Sequence, residues 1–312
     1  MNAERQSDHS DPSDQLKPVQ PSPTQSNRVA PGAPSAPASK RPFAWQPLTP
    51  KGIAAFTGAT LGRVLVVQFV FALLTASMVV WFLNRDWVPV ITRAIRQMPE
   101  QGEIRAGRLA WSGDSPVSLG ENRFLAIAVD LKHEGQARSP AHVAVEFGER
   151  DFKIYSLLGY IQGRYPPEWW IGLNRTDATP WWGAWAPPIL GIVAMAVILS
   201  LLVCWVILAT VYTGPAWLVG FFANRELSFG ASWRLSGAAL MPGSVLLIGA
   251  IFVYGVGLLD LVRLGVTVAA HFVIGWVYVW LSIRKLPPHA DAAAAKGNPF
   301  TSSAPAEKKP PQ

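Results

Sequence analysis

The chain has 312 residues, half of them apolar and only 15% charged, with a formal net charge of +7 and a positive mean hydropathy. That balance is unusual for a water-soluble protein and points to a bilayer. A single cysteine, Cys204, excludes a disulfide framework, a thiolate metal site and a C-x-x-C redox pair.

Residues 1–50 are rich in Pro, Ser, Gln and Ala with almost no aliphatic bulk. Such a segment buries too little apolar surface to offset its ordering entropy, and it reads as a disordered cytoplasmic tail. Its polar start reads as lacking a cleaved signal peptide, which makes the following apolar run a signal anchor.

A crossing helix needs about 20 mostly apolar residues to traverse roughly 30 Å of hydrocarbon. Four runs meet this requirement. The first, Val64–Leu83, carries Gln68 as its one strongly polar residue. The second, Pro188–Tyr212, is uncharged, and Gly214-Pro215 is expected to end it. The third is Leu235–Leu259, with Pro242 predicting a kink, and the fourth is Leu261–Ile283. Residues 214–234 read as a cytoplasmic loop or an interfacial helix, and 287–312 as a second disordered cytoplasmic tail.

Residues 85–180 form the long insertion between the first two runs. Val88–Met98 is amphipathic and predicts a helix continuing from the first span. Glu103–Trp111 and Phe124–Leu131 read as strands. His142–Phe147 and the run DFKIYSL after Arg150 read as a hairpin, because a short Gly-containing connection joins two alternating segments. The expectation is a small antiparallel sheet with one helix, α+β in type. The complete architecture is thus four transmembrane α-helices with a small inserted α+β extracytoplasmic domain.

Orientation follows from Lys and Arg near the helix ends. Arg284 and Lys285 follow the fourth run, Arg225 and Arg234 lie between the second and third, and Lys51 and Arg63 precede the first. Both termini are therefore expected in the cytoplasm of a bacterial inner-membrane protein. Residues 85–180 hold twelve basic and twelve acidic side chains, so the basic excess falls on the cytoplasmic flanks. An anionic leaflet accounts for that excess without a nucleic-acid partner.

Candidate chemistry is sparse. Asp260, Arg263 and His271 are the ionisable residues of the spans, and such residues are costly in hydrocarbon. Asp260 and Arg263 have the spacing of a local ion pair; His271 lies two turns deeper. Outside the spans, Trp169 and Trp170 read either as packing against the sheet or as a partner-binding aromatic surface for carbohydrate or peptide, while Trp181, Trp182 and Trp185 read as an interfacial belt. His133 and His142 have no partner at metal-ligand spacing and read as ordinary surface or strand residues. Asp130 and Glu146 lie on separate strands and would meet only by accident of register. No catalytic, cofactor-binding or metal-binding constellation is present.

The phrases GEIRAGRLAW, leading into FLAIAVDL, and RELSFGASWRLSGAALMP after the second run resemble those of uncharacterised bacterial multi-pass membrane proteins. The second phrase is also similar to Yip-type membrane proteins. The resemblance covers residues 55–285. It implies one span, an extracytoplasmic domain and a C-terminal helical cluster, and no assigned activity. The function expected is a non-enzymatic envelope interaction or scaffold role through the extracytoplasmic domain. Its partners would be the lipid bilayer and another envelope protein or polymer. The alternative is a transport or permease-accessory subunit using the last three helices.

Overall fold

The structure, a computed structural model, describes residues 45–135 and 138–289. The tails read over 1–50 and 287–312 therefore lie outside the described residues up to 44 and from 290 onward. The inner ends of both are tied down. Pro50 opens a short helix, α1 (Pro50–Ala55), whose N-cap Thr49 accepts a hydrogen bond from Gly52 N. His289 N donates to Asn224 O at 2.9 Å.

Four helical stretches are long and apolar enough to cross a membrane: Leu61–Gln97, Arg175–Phe222, Phe229–Gly255 and Leu261–Ile283. The first comprises α2 (Leu61–Phe82), a π-helical turn (Leu83–Trp87) and α3 (Val88–Gln97). The second is α4 (Arg175–Phe222), which exceeds the expected span at both ends. Gly214-Pro215 does not stop it, and Pro180, Pro187, Pro188 and Pro215 all lie inside the helix. In an apolar setting, leaving the helix would orphan several backbone groups, whereas one proline removes a single donor. The third stretch comprises α5 (Phe229–Ala239) and α6 (Met241–Gly255), which meet at Leu240 just before Pro242. The fourth is α7 (Leu261–Ile283). Little of residues 214–234 is loop, because α4 continues to Phe222 and Ser228 already caps α5 through Ala231 N.

Small residues let the helices approach closely. A Cβ on Gly243 would stand 2.4 Å from the His271 carbonyl oxygen, and one on Gly275 would stand 2.9 Å from Leu240. Polar side chains in this interior mostly bond to backbone. Gln68 Nε2 donates to Gly237 O at 3.3 Å, Ser232 Oγ to Thr213 O at 3.0 Å and Tyr212 OH to Phe272 O at 3.1 Å. The outward faces are apolar instead, with Phe69, Leu73, Ile192, Val203 and Val262 all exposed.

The two ends of the bundle differ. At one, the Arg234 guanidinium donates twice to Thr57 O, and Arg225 Nη1 donates to Leu286 O at 2.6 Å. These bonds gather the start of α2, the α4–α5 turn and the end of α7. The α+β region sits at the opposite end, where Arg123 donates to the Gly257 and Leu259 carbonyls and His142 Nδ1 lies 2.8 Å from the Tyr254 hydroxyl.

That region contains two sheets rather than one. Three strands, β1 (Gly102–Arg105), β2 (Arg108–Trp111) and β8 (Trp170–Gly172), are ordered β2-β1-β8. The single strand read over Glu103–Trp111 is a tight hairpin, because Ala106 and Gly107 both take positive φ, at 48° and 74°. The second sheet runs in order through β3 (Val117–Glu121), β4 (Leu125–Val129), β5 (Val143–Phe147), β6 (Asp151–Ser156) and β7 (Gly159–Arg164). The expected β5–β6 hairpin is present, but β4 and β5 are parallel, so the sheet is mixed. Ala94 and Ile95 of α3, with its C-cap Met98, pack with Leu109, Leu119 and Val129 to form the core.

Replacing Gly243 by Ala should wedge α6 from α7 and cost about 1–3 kcal/mol, the usual penalty for overpacking. The check is thermal unfolding of the purified chain in detergent. Gly249→Ala, where an added Cβ meets nothing within 4 Å, should leave the midpoint unchanged or slightly raised.

Candidate binding site

The α+β region hangs on two helices. α3 rises from α2, and the first turns of α4 run back beside it. Trp182 Nε1 donates to Thr92 Oγ1 at 3.1 Å, and Arg175 N donates to Pro99 O at 3.0 Å. Asn174 caps α4, its Oδ1 accepting from Asp177 N at 2.9 Å while its Nδ2 donates to Gly102 O at 3.2 Å. The cap thus ties the helix start to β1.

Trp170 stands on β8, the edge strand of the smaller sheet, and is 78% exposed. Its Nε1 donates to Glu103 Oε2 at 3.1 Å. On this edge an open groove of about 890 Å³ is lined by Glu100, Glu103, Trp111, Asn174 and Asp177. Glu100 is paired with Arg175 at 2.9 Å. Trp170, Gly172 and Asp177 also border a second hollow of about 560 Å³. Apart from Asp177 its walls are apolar, with Ile91 and Ile95 from α3, its C-cap Met98, Phe147 from β5, and Trp181 and Trp182 from α4. Trp169, the other predicted partner-binding residue, is 43% exposed and borders neither hollow.

The belt assignment for Trp182 needs correction. This residue is packed against the α+β core and hydrogen-bonded to α3, whereas Trp181 and Trp185 are exposed. Helical periodicity separates it from its neighbours, a signal hidden while these residues are taken for an irregular approach to the span.

The histidines are not ordinary surface residues. His133, at φ 54° after β4, lies between two carboxylates. Its Nδ1 meets Glu146 Oε1, and its Nε2 is 2.6 Å from Asp151 Oδ1. Gln162 Nε2 donates to the other Asp151 oxygen. The imidazole fits only because residue 148 is glycine: a Cβ there would stand 2.2 Å from His133 Nε2. Parallel pairing of β4 and β5 sets Ala128 opposite Glu146, and the loop after β4 folds His133 back over that strand. Asp130, rather than meeting Glu146, accepts from Gly135 N at 2.9 Å and so shapes the loop.

Burial opposes a charge on His133, as does Lys153, but the bonds to Glu146 and Asp151 outweigh both and hold its pKa above the ordinary 6.5. Burial would raise the pKa of Asp151, yet His133 and Gln162 hold it below the usual 3.8. Both ring nitrogens are engaged by carboxylates, so the cluster is arranged as a clasp. Among the described residues no group of three or more His, Cys, Asp or Glu is placed to hold a metal ion. His142 differs: burial and the nearby Arg123 lower its pKa, which suits a neutral ring against the Tyr254 hydroxyl.

The span residues take separate positions. Asp260 is the N-cap of α7, Oδ1 accepting from Arg263 N at 2.7 Å and Oδ2 lying 3.3 Å from Arg263 Nε. Both side chains are solvent-facing, so the pair serves the helix end. His271 is buried against α6, its Nδ1 facing Val268 O and its Nε2 without a partner among the described residues. The structure brings none of these three to Trp170.

Compared with known proteins, the chain matches no family model, and no curated protein or solved structure is detectably similar to it. Its functional reading rests on its own residues.

Linkage gives the His133 clasp a pH signature. The raised His133 pKa contributes stability in full below about pH 6.5, which fades as pH rises through the raised value. The lowered Asp151 pKa contributes above about pH 3.8, and this fades as pH falls through the lowered value. Amide-exchange protection over residues 143–156, corrected for intrinsic rates, should therefore be greater near about pH 5.5 than near about pH 8.5. His133→Gln should flatten the difference; an undiminished difference in that variant would assign it to other groups.

Proposed function

We propose that this is a multi-pass membrane protein whose α+β region lies outside the cytoplasm and holds an envelope partner at the Trp170 edge. The four apolar helices cross the bilayer, in the bacterial inner membrane, with both termini cytoplasmic. Three features support this placement. Apolar side chains cover the outer faces of the helices; Lys51, Arg63, Arg225, Arg234, Arg284 and Lys285 lie at the end opposite the α+β region; and residues 85–180 are charge-balanced. The tip of the β6–β7 hairpin adds a fourth. Leu158 there is 97% exposed, and its neighbour Leu157 shares a hollow with Asp260, Leu261 and Val262 at the start of α7. A bare leucine beside a span start suits the lipid surface better than water.

The role is that of a non-enzymatic interaction or scaffold protein. The observation carrying it is Trp170, a large exposed aromatic on an edge strand beside a groove of acids and a second tryptophan. Exposed tryptophans are typical anchors of interfaces, and the unpaired strand edge offers further hydrogen bonds. The partner is another envelope protein or an envelope polymer. A transport or permease-accessory role is the second reading, favoured by the buried, unpartnered Nε2 of His271.

A photoreactive amino acid at position 170, in cells at native expression, should yield a crosslinked envelope component. The same group at position 192, on the outer face of α4, should not capture it. Recovery of uncrosslinked chain alone from both would overturn the interaction reading. Should His271→Ala abolish the physiological role while crosslinking at 170 persists, the transport reading prevails. Reporter fusions at residues 30, 130, 225 and 300 should report only 130 as outside; any other pattern rejects the orientation.

A further inference from the structure

We propose that the hollow between α3, α4 and β5 is a lipid-chain site, taking one alkyl chain of an amphiphile from the outer leaflet whose polar head, uncharged and hydroxyl-bearing, rests in the adjoining acidic groove. The inference rests on the membrane placement proposed above, but not on the identity of the envelope partner.

The chemistry of the hollow comes first. Its walls are Ile, Ala, Met, Phe and Trp side chains, and Asp177 stands where it joins the groove. Its volume of about 560 Å³ falls inside the ordinary range for small-molecule sites, about 300–1,000 Å³. The lining residues from Ile91 of α3 to Met98, its C-cap, extend about 10 Å along the helix direction at about 1.5 Å per residue. An apolar wall of that length can lie alongside an alkyl chain.

Its position comes next. Trp182, at the membrane-proximal end of the wall, precedes Pro188 of the apolar run by about 9 Å of helix at about 1.5 Å per residue. The headgroup layer is about 5–8 Å deep on each side of the hydrocarbon. Trp181, 56% exposed, marks this end, and the outer face of α4 continues from it toward Ile192 as bare apolar surface. The near end of the hollow therefore stands at the outer edge of the headgroup layer, and a chain following the apolar outer face of α4 reaches it there.

The groove selects the head. Glu100, Glu103 and Asp177 are its charged lining, and Arg175, at the start of α4, pairs with Glu100. A phosphate would meet this acid set with no free cation in the groove lining to balance it. Hydroxyl groups donate to carboxylates, and the faces of Trp111 and Trp170 offer packing for the C–H side of a sugar-like ring. Trp170 borders both hollows and so stands where head and chain join.

The test uses the full chain in phosphatidylcholine vesicles with an alkyl glucoside carrying a diazirine at the end of its chain. After photolysis, peptide mapping should find label on lining residues such as Ile91, Ile95 and Phe147, besides the lipid-facing residues of α4 and α7. Excess unlabelled alkyl glucoside should compete the cavity label away. Ala178→Phe fills the hollow from its half-buried rim and should cut that label about tenfold, equivalent to about 1.4 kcal/mol; Ala94→Leu fills it from the buried side as a second variant. Label on α4 and α7 should persist in both, which also shows that the chain remains inserted. A matched alkyl phosphate probe should label the cavity less.

Label confined to the bundle helices, or cavity label undiminished in both filled variants, would overturn the site. Equal cavity label from glucoside and phosphate would overturn the head-group selection. A chain labelled nowhere in the bundle would instead refute the membrane placement.

Discussion

The antiparallel contact between α3 and the first turns of α4 is the joint on which the rest of the molecule depends. α3 continues α2 through a π-helical turn, and the early turns of α4 continue directly into its long apolar stretch. Both helices are thus held rigidly by the bundle before they reach the sheets. Because Trp182 bonds Thr92 and Asn174 bonds Gly102, the spacing of the two helices sets where β1 and β8 lie. The hollow beside Trp170 is the space left between these elements, and it inherits their rigidity.

A second set of contacts keeps the α+β region from swinging on that joint. Phe82 of α2, Phe124 before β4 and Tyr254 of α6 form an aromatic cluster, with ring centroids 5.0–5.3 Å apart. Arg123 reaches over it to the Gly257 and Leu259 carbonyls in the turn that follows α6. The region is consequently fastened to the first three long helical stretches and also packs against the start of the fourth, through Leu261 and Leu264. The α+β region is thus joined to the bundle through packed side chains rather than through a flexible tether.

The same residue types serve opposite ends in the two halves. In the bundle, buried Ser, Thr, Gln and Tyr side chains bond mainly to backbone carbonyls, and glycines remove bulk where helices cross. In the α+β region His133, Glu146 and Asp151 bond side chain to side chain, and a glycine at 148 makes room for the imidazole. The difference follows from the surroundings: a carboxylate is costly among apolar helices, while a sheet flank with nearby histidine, glutamine and lysine partners supports it.

The sequence by itself determined the four apolar runs, the insertion between the first two and its α+β character, along with the β5–β6 hairpin. These are local properties, set by run length, periodicity and turn residues. It also singled out Trp169 and Trp170 as a candidate contact surface, with core packing against the sheet as the competing reading, and left the exposure of Trp170 to the tertiary structure. Tertiary structure decided the rest. Proline inside α4 could not be read correctly from the chain, because the cost of ending a helix depends on whether water is at hand to satisfy the freed carbonyls. The parallel β4–β5 register, which brings His133 to Glu146 and Asp151, depends on a loop folding back across a strand and leaves no mark in residue spacing. The hollow between α3 and α4 is likewise a property of distance between elements, and only their packing creates it.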